Sequence, residues 1–407
     1  MKPQSRLLCT VLSVAFCLSV GSQGCRPGED GEASAAHGSP LAPYQAELLD
    51  IAFSAASAMP VDPHIKDRSR AQEAVVKAAL ALDQPDLALE YVEQIENWRR
   101  GTGYADLAWY AARQGATEQA RSHLRRAANV AGTTEDWRVD RIRVQIAQVH
   151  AYLGDAETAA EFEQGAGQAE AGKVARVEAM RSAAGSFQEQ MEDVAALVAK
   201  EQFDVVRNAL DVYAELFRRF YEDPERRKRI KERVRESWDL MPLFIRVELL
   251  ADLAEIAVAH EDQAETLALI DEARGIMESP QWPPYAEVTL VARLAALRFA
   301  AGDEQVAVQE LERALVLFDA EKRRIVDIDR AETLRPIAEA YHRMGRDDAA
   351  LEIYRRALEA GMENPNSRPR AEDLVDTCCS LAVHAVEPGR ELMERIREVR
   401  DALGDPW

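Results

Sequence analysis

Residues 334–358 read LRPIAEAYHRMGRDDAALEIYRRAL. Ile337-Ala338 and Tyr341 recur at helical spacing on one side of Gly345. Ala350-Leu351, Tyr354 and Ala357-Leu358 do so on the other. Intervals of three and four are the period of a helix that buries one face. A glycine just past a periodic run is a helix stop. The acidic pair Asp347-Asp348 then suits the first turn of a second helix, where the dipole favours negative charge. The stretch is therefore one hairpin of two antiparallel helices.

The same spacing recurs outward from this stretch. Seven residues before Gly345 stands Ala338, and five, nine and twelve after it stand Ala350, Tyr354 and Ala357. Gly302 gives Ala295, Ala307, Leu311 and Ala314 at those offsets, and Gly115 gives Ala108, Ala120, Leu124 and Ala127. Gly154 gives Ala147, Ala159 and Ala166, with Glu163 in the large position. Glu261 gives Ala254, Thr266, Ile270 and Ala273; Asp83 gives Val76, Ala88, Val92 and Ile95. Small residues at these places let the two helices approach closely, while the large one fills the groove between them. No stretch reads as a strand.

The pattern resembles the tetratricopeptide repeat, best in 334–358 and well over about 70–166 and 248–360. The resemblance implies an all-α, right-handed α-solenoid of antiparallel helical hairpins, about seven to eight of them, that binds peptides or protein segments on its concave face. The marks at 261, 302 and 345 lie 41 and 43 residues apart. That exceeds the ~34 of a minimal repeat and implies longer helices or loops. The domain reading is 1–24, 25–43, 44–169, 170–247 and 248–407: signal peptide, lipid-anchored flexible tether, N-terminal repeats, divergent helical segment and C-terminal repeats. In the divergent segment Glu201 gives only Val194, Val206, Leu210 and Tyr213, and Asp223-Pro224 opens the charge-rich ERRKRIKERVRES. That run reads as a solvated helix or as a basic patch for an anionic partner.

Composition is consistent with this. The chain has 407 residues, only 20 Gly and 6% aromatics, and 50 basic against 71 acidic residues for a net charge of −21. Such an acidic chain argues against nucleic acid as a partner. At the N-terminus, Lys2 and Arg6 precede an apolar stretch over 7–20, too short to span a bilayer but suited to an export signal. Gly24-Cys25 resembles the lipobox of bacterial lipoproteins, although Ser22 and Gln23 depart from it. The resemblance implies cleavage before Cys25 and lipid attachment at its thiol, with simple secretion as the alternative. Residues 26–43, rich in Gly, Ser, Pro and acid, would act as a coil of about 25 Å. Cys378 and Cys379, adjacent in a helix, read as core thiols.

No GxxxxGK[ST], GxSxG or HExxH motif occurs, and the seven histidines are scattered. The expectation is therefore no enzyme, no cofactor and no metal. The expected function is an exported, lipid-anchored scaffold that binds a protein or peptide partner in the bacterial cell envelope. Outer membrane or periplasmic face is the expected address, otherwise periplasmic or secreted. A structural subunit of an envelope assembly, or an enzyme without a recognisable motif, is the alternative. In solenoids resembling this one the first helix of each hairpin lines the concave face. The candidate partner-binding residues are accordingly Asp106, Trp109, Arg113, Gln145, Gln148, Tyr152, Arg293, Arg335, Glu339 and His342. Amides bond to a peptide backbone and Trp109 or Tyr152 offers an anchor; the competing reading packs both aromatics between hairpins.

Overall fold

The computed structural model describes residues 40–165, 167, 173, 187–199, 203–278 and 282–407. Residues 38–407 form one compact unit. The export signal, Cys25 and the tether as far as residue 39 lie outside the described residues, as does Ala166. Among the described residues there are eighteen α-helices and no strand. They are α1 (Pro43–Ala58), α2 (Val61–Ala81), α3 (Pro85–Glu93), α4 (Arg99–Arg113), α5 (Thr117–Ala131), α6 (Trp137–Tyr152), α7 (Ala156–Glu163), α8 (Phe187–Val198) and α9 (Phe203–Arg219). The second half comprises α10 (Pro224–Glu236), α11 (Leu243–Ala259), α12 (Gln263–Met277), α13 (Pro284–Ala300), α14 (Glu304–Glu321), α15 (Asp327–Arg343), α16 (Asp347–Met362), α17 (Ser367–Val383) and α18 (Gly389–Asp401). The protein is a helical repeat.

Each join seen in the sequence is a helix stop of one design. Gly115, Gly154, Gly302 and Gly345 have φ between +69° and +88°, and Asp83, Glu261 and Ala385 take the same left-handed turn at φ +56° to +57°. In every case the next backbone N–H reaches back five residues: Ala116 to Ala111, Asp155 to His150, Asp262 to Ala257, Asp303 to Arg298, Arg346 to Tyr341, Gln84 to Ala79 and Val386 to Leu381. These bonds satisfy carbonyls that a helix end would otherwise leave orphaned. Asp155 and Asp262 then cap the following helix, accepting from the amides of Thr158 and Glu265.

The small and large residues at the shared offsets are buried, except Glu163, which is half-buried, and Ala166, which lies outside the described residues. Ala108, Ala120, Ala127, Ala147, Ala159, Ala254, Ala273, Ala295, Ala307, Ala338, Ala350 and Ala357 have essentially no exposure, and neither do Ile270, Leu311 and Tyr354 between them. The weak echo at Glu201 is buried as well, in Val194, Val206, Leu210 and Tyr213. First helices pack on first helices to make an inner layer of α2, α4 and α6, then α9, α11, α13, α15 and α17; the second helices lie outside them. Because each hairpin is antiparallel, successive inner helices run the same way within α2–α6 and within α9–α17. The unit therefore has two rims: an N rim where inner helices begin and a C rim where they end.

The charge-rich helix α10 is the outer partner of α9. Its cations reach across to the next outer helix: Arg227 to Asp262 at 3.0 Å, Lys231 to Glu265, and Arg235 to Glu272 in a two-pronged pair at 2.7 and 2.8 Å. These pairs share the charge with pairs one turn apart on the helix itself, Arg233 with Glu236 (2.7 Å) and Arg226 with the capping Asp223 (3.1 Å).

The two ends of the array meet. α17 packs far more extensively on α1 than on its own successor α18. Leu48, Leu49, Ile51, Ala52, Phe53, Ala55 and Ala56 of α1 are buried, as are Leu374, Val375, Cys378, Cys379, Leu381 and Ala382 of α17. Gln45 Nε2 donates to the Ala382 carbonyl (2.8 Å), Arg70 pairs with Glu372 (2.6 Å) and Arg397 with Glu47 (2.5 Å). On its other side α1 reaches α3, where Phe53 stacks on Tyr91 at 4.3 Å and the Tyr91 hydroxyl donates to Asp50. The first helix thus fills the outer position of the last hairpin. Nothing in the sequence pattern announces this closure.

Candidate partner-binding face

The inner helices place all ten candidate residues: six on α4 and α6, one on α13 and three on α15. The α4 and α6 residues come together. Trp109 and Tyr152 meet with ring centroids 5.0 Å apart at 59°. Trp109 also rests against the core, while Tyr152 keeps 45% of its surface exposed and Arg113 is exposed. Asp106, nine residues before Gly115, and Gln145, nine before Gly154, lie at matching heights on the neighbouring helices. Gln148 is half-buried beyond them. One carboxylate oxygen of Asp106 and the amide oxygen of Gln145 are buried without a hydrogen-bond partner.

Charges from three helices surround this strip. Burial drives the Asp106 carboxyl up to about 6, and Glu73 adds to the rise, against the opposing pull of Lys77 and Arg141. Arg99 of α4 pairs with buried Glu73 of α2, whose other oxygen accepts from Thr102 (3.0 Å). Burial works against the Glu73 carboxylate, but Lys77, Arg99 and Arg141 outweigh it and hold the group below its usual range.

The α13 and α15 residues are taken up by neighbouring helices. Arg293 lies 2.6 Å from Asp252 and 2.9 Å from Glu255, both on α11. Burial disfavours its charge, and those two carboxylates more than restore it. Arg335, buried, reaches Asp373 (3.4 Å) and Asp376 (3.1 Å) of α17. Asp373 is pushed up to about 7 by burial, with Arg335 pulling the other way. Glu339 accepts from Ser380 (2.7 Å) and faces His384 (3.6 Å); His342 bonds Asp347 at 2.7 Å.

The partners Glu73, Lys77, Arg141, Asp252, Glu255, Asp373 and Asp376 were not foreseen from the sequence. The signal was present: Asp106, Gln145, Asp252, Arg293 and Asp376 each stand nine residues before a left-handed join. A polar residue recurring at one height of an inner helix is a polar layer. Among the described residues no group of three His, Cys, Asp or Glu is placed to hold a metal.

The chain matches no family model and no curated protein. Among solved structures it is similar to one described as a "circular tandem repeat protein with novel repeat topology and enhanced subunit contact surfaces". The match covers 88% of this chain and 94% of that one, at 16% identity and a TM-score of 0.25.

Proposed function

We propose that the protein is an exported scaffold, anchored by lipid at Cys25 in a bacterial envelope, whose tetratricopeptide-like inner face holds an extended protein or peptide segment. The observation that carries this is the strip on α4 and α6. Two buried acceptor oxygens, on Asp106 and Gln145, lack donors beside the Trp109–Tyr152 pair. A buried acceptor without a donor is costly, so native proteins rarely leave one so. Backbone N–H groups of a segment that parts the side chains over these oxygens would supply donors, with the exposed Tyr152 and Trp109 behind it as the apolar anchor. The α13–α15 part of the candidate face is occupied by Asp252, Glu255, Asp373 and Asp376, which concentrates recognition on α4 and α6.

The export and anchoring part rests on Lys2, Arg6, the apolar 7–20 and Gly24-Cys25. The test is crosslinked recovery of partners from native envelopes, compared between wild type, Gln145→Ala and Tyr152→Ala. Loss of the same partner in both variants, with unchanged melting, is the expected result. If both folded variants recover every partner, the strip is not the site. Mass spectrometry of the mature N-terminus tests the anchor: an acylated Cys25 is expected, and an unmodified cysteine or cleavage elsewhere overturns it.

A further inference from the structure

Among the described residues, most of the large apolar side chains that stay exposed lie on one rim, at the starts of four inner helices. Val61 (43%), Trp137 (62%), Leu240 (40%), Leu243 (38%), Phe244 (39%) and Val326 (55%) all lie within three residues of the start of an inner helix, on the N rim. Val306 and Val316 lie on outer helix α14, and Tyr152 lies at the C rim. The most exposed aromatic among the described residues, Trp137, is held in place. It meets the Trp98 ring edge-on at 5.8 Å, and Arg99 and Arg141 stand over the same Trp98 ring at 4.7 and 5.9 Å. The residue before it, Asp136, has φ +66° and ψ −163°, a conformation almost reserved for glycine. The strained residue is followed directly by that exposed side chain.

The two rims differ in charge. On the C rim, joins and first turns are dominated by carboxylates, as in Gly154-Asp155-Ala156-Glu157 and Glu261-Asp262. On the N rim cations and carboxylates balance, as in Arg99-Arg100 and Lys322-Arg323-Arg324 against Glu135-Asp136. Some of both signs are unspent: Arg100 and Arg323, and Asp62, Glu135 and Asp239, are exposed and make no ion pair among the described residues.

We infer that the N rim is a docking surface for the N rim of a second copy of this chain. A molecule of net charge −21 repels its copies through its acidic faces. The N rim is the rim where two copies meet without that repulsion, and it carries exposed groups of both signs. Under two-fold symmetry one patch meets itself, so a surface with unpaired cations and unpaired carboxylates is complementary to its own copy. The apolar residues supply the contact area, and Trp137 is the anchor type that such contacts favour. This inference does not depend on the partner-binding reading, which concerns the inner face.

Sedimentation velocity of the natively processed protein, in a detergent of known micelle mass, tests the inference. A dimer is expected, and its fraction should grow with protein concentration as mass action requires. Trp137→Glu and Phe244→Glu should each weaken association about tenfold or more, with melting unchanged. Tyr152→Glu, on the other rim, should leave the dimer intact. A monomer under all conditions overturns the inference, as does a dimer that both N-rim variants leave unaltered or that Tyr152→Glu also dissolves. Flotation of the Cys25→Ser protein with phosphatidylcholine vesicles, abolished by Trp137→Glu, would assign the rim to lipid and overturn it as well.

Discussion

Glu261, Asp83 and Ala385 occupy the left-handed turn that glycine fills at the other joins. A side chain there costs roughly 1–2 kcal/mol relative to its ordinary conformation, less what glycine loses in freedom on folding. Glu261→Gly should therefore stabilise the protein by about 0.5–1 kcal/mol, read as a higher midpoint in urea. Glycine was the visible mark in the sequence, and Glu261 and Asp83 were legible only through the offsets around them. Ala385 escaped because its offsets fail: Arg390, Glu394 and Arg397 stand where small and large apolar residues should. They fail because α18 is not the helix that packs there; α1 is.

A second residue-scale prediction concerns pH. Asp373 is raised to about 7 by burial, so the folded chain holds that proton over a range where the unfolded chain has released it. A native state that binds more protons gains stability as pH falls. Lowering pH from 8 towards 5 should raise the melting temperature through this group, and Asp106, raised to about 6, adds to it at the acid end. Asp373→Asn should flatten the upper part of that dependence. A melting profile that is the same for variant and wild type would contradict the assignment.

At the scale of elements, α10 shows why local charge spacing can mislead. Its run of Arg and Lys supports intrahelical pairs, and Arg233 makes one with Glu236, yet Arg227, Lys231 and Arg235 reach the neighbouring hairpin at Asp262, Glu265 and Glu272. Carboxylates are so common in this chain that no pairing between distant helices could be singled out from the sequence. The same abundance hid the Arg293 and Arg335 partners. The structure makes the α10–α12 contact testable by exchange. Lys231→Glu should destabilise, and adding Glu265→Lys should recover part of the loss, with a coupling of about 0.5–1 kcal/mol in a double-mutant cycle because both groups are partly solvated.

For the whole molecule, the hairpin array was legible from spacing, since close helix packing demands small residues at fixed places. The closure was not. It rests on two apolar faces, one on α1 and one on α17, that carry no shared mark, and apolar faces are complementary to many others. Cys378 and Cys379 report on it. Both are buried on α17, the helix that α1 covers, and burial holds their thiols far from ionising. Both should resist a thiol reagent such as iodoacetamide in the native protein. Leu49→Asp, which places a charge in the α1–α17 contact, should make them reactive well below the global unfolding midpoint. Equal labelling rates in variant and wild type would show that α1 does not shield them.

The latch also sets an order of events during synthesis. The helix made first waits for α17, which begins more than 300 residues later. At roughly 5–20 residues per second that is an interval of tens of seconds. Throughout it the apolar side of α1 that α17 will cover has no partner from its own closing helix. Each intervening hairpin can fold on its predecessor as it appears, so the array grows with one sticky end open until its last helices arrive. A chain truncated before α17 would keep that end open for good, and a quality-control protease would find it there.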